Sequence, residues 1–117
     1  MRILVVDDRG QNHRALSFLF KSWGFDWDSV LSGKEALEKA QKIDYDVILM
    51  DIQMPGLNGF DTTKQMRLSN ITTPIIALTG LDKRHHEKTC LDAGMNDFLE
   101  EPFYPEELKA IIQKWAI

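Results

Sequence analysis

The sequence predicts an α/β fold, a five-stranded parallel sheet with helices packed on both faces. Two observations carry that expectation. Five short apolar runs alternate with five segments of helical spacing, the pattern of strand–helix–strand units whose strands run parallel. The third and fourth runs, "DVILM" and "PIIAL", are continuously apolar rather than alternating, as strands covered on both faces require. These two are expected at the centre of the sheet.

The first run, "ILVV" at 3–6, precedes a helix whose Leu16, Leu19, Phe20 and Trp23 fall at i, i+3, i+4 and i+7 and so form one core-facing stripe. Gly24 stands where that helix should stop, since glycine readily takes the left-handed conformation that ends helices. After "FDWDSV", Ser32 with Glu35 makes a capping box for a second helix bearing Ala36, Leu37, Ala40 and Ile43. The fourth helix, "KRHHEKTCLDA", offers only Cys90, Ala93 and Leu91 for packing, and Gly94 should end it. The fifth strand, "DFL", leads to a helix opened by Pro105, with Glu106 and Glu107 at its positive end and Leu108, Ile111, Ile112 and Trp115 as its apolar stripe. Trp23, Trp27 and Trp115 need no explanation beyond packing.

A chain of 117 residues suits one domain over 1–117, large enough to bury roughly two thirds of its unfolded surface. With 27% charged and 44% apolar residues it has the balance of a globular protein rather than a disordered one. A net charge of −4 without a run of Lys and Arg argues against direct nucleic-acid binding, which needs a phosphate-neutralising stripe. Cys90 is the single cysteine, no apolar leader opens the sequence, and no stretch approaches the ~20 apolar residues that span a bilayer. A reducing, cytoplasmic setting and no membrane partner are the expectation.

The stretch "NDFLEEPFYPEEL" adds Glu100 and Glu101 to the acids at strand ends: Asp7 and Asp8 end the first strand and Asp51 the third. In open α/β sheets ligands bind beyond the carboxyl ends of the strands where strand order reverses, which for the flavodoxin-like order 2-1-3-4-5 lies between strands one and three. With that order, three carboxylates share one crevice, and Thr79 arrives from strand four. Like charges about 4 Å apart cost on the order of 4 kcal/mol at an effective dielectric near 20, so the cluster must be protonated, spread apart or occupied by a cation. Oxygen-only ligands favour Mg²⁺ or Mn²⁺, which take one or two carboxylates together with a phosphate. An aspartate there can attack a phosphoryl group in line.

Taken together, "VVDD", "YDVILMDIQMPGLNG", "TPIIALTG", "AGMNDFL" and a Pro-Phe after strand five make the chain resemble, over essentially its whole length, the receiver domain of two-component response regulators. "DIQMP" and the Asn of "DDRGQNHRAL" are most similar to receivers of hybrid histidine kinases. The resemblance implies that Asp51 is the phosphoacceptor, that Asp8, Asp51 and the backbone carbonyl of Gln53 coordinate the metal, and that Asp7 reaches it through water. It also implies that Thr79 hydrogen-bonds the phosphoryl group and that Phe98 sits at the aromatic switch position, together remodelling the face of helix four, strand five and helix five. The donor would be a histidine kinase or histidine phosphotransfer protein, the domain standing alone, fused to, or docking on an output or kinase domain. It would not be an enzyme beyond catalysing its own phosphoryl transfer and slow dephosphorylation. Read alone, Thr79 suits a helix N-cap, Phe98 suits plain core packing, and His13, His85 and His86 suit solvated positions.

One position departs from the family. Where the resemblance calls for Lys before the proline after strand five, this chain has Glu101. Asp7, Asp8, Asp51 and Glu101 carry a formal charge of −4, two units more negative than with Lys there. Lys83 and Arg84 are the nearest replacement cations in sequence; Lys109 and Lys114 lie on the last helix and do not substitute easily. Three outcomes stay open: Glu101 turns to solvent, it draws in further cation or water, or the domain is a phosphorylation-independent pseudo-receiver working as a protein–protein interaction module. By analogy the Glu101-Pro102 peptide should be cis. A hydrolase using an aspartyl-phosphate is disfavoured, because Gln53 stands where a general-acid Asp would follow the nucleophile.

Overall fold

In the computed structural model, residues 1–54 and 56–116 are described, Gln11 and Lys83 by backbone alone; Pro55 of "DIQMP" lies outside this set. Five strands and five helices alternate: β1 (Arg2–Val6), α1 (Gly10–Trp23), β2 (Asp26–Val30), α2 (Gly33–Lys42), β3 (Val47–Asp51), α3 (Gly59–Leu68), β4 (Ile75–Thr79), α4 (Lys83–Ala93), β5 (Asp97–Glu100) and α5 (Pro105–Trp115). All strand pairs are parallel, in the order β2-β1-β3-β4-β5. This is the flavodoxin-like arrangement expected, with the two continuously apolar runs, β3 and β4, fully buried inside the sheet.

Alternation along the strands divides the core in two. Leu4, Val6, Ile48, Met50, Ile75, Ala77 and Phe98 face one layer with Ala36, Met66 and Cys90 of α2, α3 and α4. Ile3, Val5, Leu49, Ile76, Leu78 and Leu99 face the other, with Leu16 and Phe20 of α1 and Leu108 and Ile112 of α5. The helical stripes therefore pack as their spacing predicts. On α4 the apolar contribution narrows to Cys90 and Ala93, while Leu91 is 50% exposed: the expected third packing residue points away from the sheet.

The helix ends follow local chemistry. Gly24 and Gly94 take positive φ of 75° and 105° at the ends of α1 and α4. At α2 the Ser32 hydroxyl accepts the Glu35 N–H at 3.2 Å. The Glu35 carboxylate meets that same hydroxyl at 3.4 Å, so the cap is Ser32's. Pro105 opens α5 behind Tyr104, whose N–H donates to the Glu107 carboxylate at 3.0 Å.

Candidate active site

Register brings the acids together. Val6 pairs with Met50, so the residues that follow, Asp7 and Asp51, leave the sheet side by side although distant in sequence. Asp7, Asp8 and Asp51 each offer a carboxylate oxygen within 4.8 Å of the other two, with Asp7 and Asp51 buried and Asp8 exposed. Gly59 allows α3 to start against this rim: a Cβ there would lie 2.6 Å from the Asp51 carbonyl oxygen and from Ile52 Cα.

Each carboxylate is held differently. Asp7 Oδ1 accepts the Arg9 backbone N–H and its Oδ2 accepts Asn12 Nδ2, both at 2.8 Å. Asp51 Oδ1 accepts the Gln53 N–H at 3.0 Å, whereas its buried Oδ2 has no hydrogen-bond partner. Burial pushes the Asp51 carboxyl up to about 6. The Gln53 N–H and Arg9 pull against that, and Asp7 and Asp8 reinforce it by like-charge repulsion. A buried lone pair without a donor, facing two further carboxylates, is the condition a hard divalent cation relieves, and the all-oxygen donor set fits Mg²⁺.

The remaining expected residues distribute around this cluster. Thr79, 1% exposed, accepts the Leu81 N–H on its hydroxyl at 3.2 Å; α4 is capped by Asp82 instead, so Thr79 is not a helix cap. Phe98 is buried opposite Ala77 and lines a groove of about 200 Å³ with Glu87, Cys90, Leu91, Lys114 and Trp115. Cys90 borders the same groove, and burial pushes its thiol up to about 11, an unreactive packing residue. The Glu101-Pro102 peptide is cis, as expected. Glu101 is half-buried and lines a cleft of about 110 Å³ with Asp7, Asn12 and Phe103. Burial raises its carboxyl's pKa, opposed by Arg9 and reinforced by Asp7, so it belongs to the acidic neighbourhood rather than to solvent.

Several positions stand differently from the sequence reading. Arg84 lines a separate cleft with Asp82, Glu87, Lys88 and Glu100, and the Lys83 side chain lies outside the described residues. Among the described residues, the cation at the cluster is Arg9, with Nε 3.6 Å from Asp7 Oδ1 and Nη2 3.7 Å from Asp51 Oδ2. A basic residue in the turn after an acidic pair reads as solvated, and only its place directly after Asp8 could have marked it. His13 is half-buried rather than solvated, its Nε2 2.6 Å from the Asp7 carbonyl oxygen. His86 is likewise partly buried, whereas His85 is exposed as expected and paired with Asp82 at 2.8 Å.

A sequence profile described as "Response regulator receiver domain" matches residues 3–113. The chain is 38% identical to hybrid signal transduction histidine kinase L of Dictyostelium discoideum, over 98% of this chain and 7% of that protein. It is 30% identical to the cell cycle response regulator CtrA of Brucella ovis, over 96% of this chain and 48% of that one. The chain thus spans less than half the length of these curated relatives. Among solved structures it is similar to the receiver domain of the sensor histidine kinase PA1611 from Pseudomonas aeruginosa PAO1 (TM-score 0.90, 37% identity, 98% and 96% of the two chains), which has a magnesium ion coordinated in its active-site cleft. Profile, strand order and convergent acids agree, and the chain belongs to the response regulator receiver domain family.

Proposed function

We propose that residues 1–117 form one receiver domain that accepts a phosphoryl group on Asp51 from a histidine kinase or histidine phosphotransfer protein. The switch then passes to the face of α4, β5 and α5. The observation that carries this reading is the buried Asp51 Oδ2, left without a hydrogen bond while Gln53 fixes the other oxygen. That leaves an oxygen whose lone pairs are not committed to a hydrogen bond, available for attack on phosphorus. The new O–P bond forms as the donor's P–N or P–O bond breaks, and the electron pair leaves with the donor nitrogen or oxygen, which takes up a proton.

Asp7, Asp8, Asp51 and the Gln53 carbonyl are the groups that would hold Mg²⁺ or Mn²⁺. The bound ion supplies positive charge against the phosphoryl oxygens. Thr79 keeps its hydroxyl hydrogen available, because its oxygen accepts from Leu81, and donates it to a phosphoryl oxygen. Thr79 follows Leu78 and Ala77 on β4, and Ala77 pairs with Phe98. On this reading, movement of Thr79 is passed along β4 to Phe98, which lines the α4–α5 groove.

Glu101 beside Asp7 favours a second reading, an interaction module that no longer uses phosphate, since it adds negative charge where phosphate must approach. The two readings separate on intact mass after incubation with Mg²⁺ and acetyl phosphate. The expected result is one added phosphoryl group on the wild type and none on Asp51→Asn. Absence of labelling by both acetyl phosphate and cognate kinases overturns the phosphoacceptor reading in favour of the interaction module.

A further inference from the structure

Among the described residues, Arg9 is the cation within ion-pair distance of Asp51, at 3.7 Å from its Oδ2, and it reaches Asp7 at 3.6 Å with another nitrogen of the same guanidinium. At 3.7 Å the pair with Asp51 is too long for a hydrogen bond, so the nucleophilic oxygen is accompanied by positive charge without being engaged by it. The backbone holds the base of this side chain: the Arg9 N–H donates to Asp7 at 2.8 Å, the Asn12 N–H donates to the Arg9 carbonyl at 3.1 Å, and Arg9 immediately precedes α1 as its N-cap. Glu101, just past the end of β5, lines a cleft with Asp7, one of the two carboxylates that Arg9 pairs with.

We propose that Arg9 supplies the phosphoryl-binding charge of this receiver in place of a cation at position 101. The positive charge then comes from the turn after β1 instead of the end of β5. A guanidinium fork suits the three equatorial oxygens of a phosphoryl group because it donates two parallel hydrogen bonds at once. Its 51% exposure leaves the side chain free to follow the group from the incoming donor onto Asp51. No bond forms to Arg9; it stabilises charge that appears on oxygen. This assignment rests on the reading of Asp51 as phosphoacceptor.

The test is a four-protein cycle of wild type, Arg9→Ala, Glu101→Lys and the double variant, with Arg9→Lys as the conservative control. Each is labelled with acetyl phosphate and Mg²⁺ and followed by intact mass for labelling rate and phosphoryl lifetime, with Mg²⁺ affinity measured by calorimetry. Arg9→Ala is expected to lose at least about tenfold in rate or lifetime, Arg9→Lys to recover part of it, and Glu101→Lys to restore more in the Arg9→Ala background than it adds to wild type. A merely structural Arg9 would not be rescued from position 101. Unchanged or faster labelling of Arg9→Ala overturns the assignment while leaving Asp51 as acceptor, the faster case making Arg9 a competitor of the metal. A wild type that no donor labels overturns both readings.

Discussion

On the phosphoacceptor reading, Asp51 would have to be buried to control a phosphoryl group and charged to attack one, and the two requirements oppose each other. Its carboxyl is pushed up to about 6 from an ordinary 3.8, so between those values the folded state binds more protons than the unfolded one. Metal-free stability therefore falls as pH rises through that window, and the full penalty, on the order of 1–3 kcal/mol, applies above pH 6. Asp51→Asn removes it. In chelator at pH 7.5 the variant should be more stable than wild type by that amount in urea unfolding, with the gap closing toward pH 4; a destabilised variant at pH 7.5 contradicts the account. The acids were legible in the sequence because chain order and strand ends fix where Asp7, Asp8 and Asp51 emerge. Arg9 was not, because the direction of a long side chain in a turn depends on neighbours that only the fold supplies. The same holds for His13, drawn to the Asp7 carbonyl.

At the scale of elements, the end of the sheet opposite the acids is tied by Arg67 at the close of α3. Its guanidinium donates to the carbonyls of Gly94, Ile71 and Thr73 at 3.0, 2.7 and 2.9 Å and to Asn96 Oδ1 at 3.0 Å, and that oxygen also accepts the Ile75 N–H at 2.9 Å. One side chain thus joins the turns that enter β4 and β5. Removing it strands several partly buried acceptors, so Arg67→Ala should lose about 2–4 kcal/mol in chemical denaturation. Arg67→Lys, a point charge without the fork, should recover less than half. Hydrogen exchange at Ile75 and Asn96 should quicken, while Mg²⁺ affinity of the folded variant stays at the wild-type value; unaltered stability removes the clasp from the account. Helix stripes and the stops at Gly24 and Gly94 were readable because they depend on spacing within one segment. The Arg67 clasp joins three segments, and its residues carry no local pattern. Leu91 failed for a related reason: an apolar residue on a mostly polar helix does not by itself say which side of the stripe it falls on.

Over the whole molecule, the strand order converts a separation of 44 positions between Asp7 and Asp51 into adjacency, and the unfolded chain has no equivalent arrangement. A divalent ion bound by the three carboxylates would therefore add to folding stability almost undiminished. With a dissociation constant of about 1 mM, 10 mM Mg²⁺ contributes roughly 1.4 kcal/mol, a rise of roughly 5 °C in Tm for a domain of this size. Asp7→Asn and Asp8→Asn should each cut that rise by more than half, although Asp7→Asn keeps one oxygen able to accept from either the Arg9 N–H or Asn12 Nδ2. Arg67→Ala, melting lower from the outset, should show the full wild-type increment, because the clasp and the acids sit at opposite ends of the sheet. Equal Mg²⁺ shifts in wild type, Asp7→Asn and Asp8→Asn would place the ion elsewhere. A lost increment in Arg67→Ala would mean that the two ends of the sheet are coupled through β3 and β4.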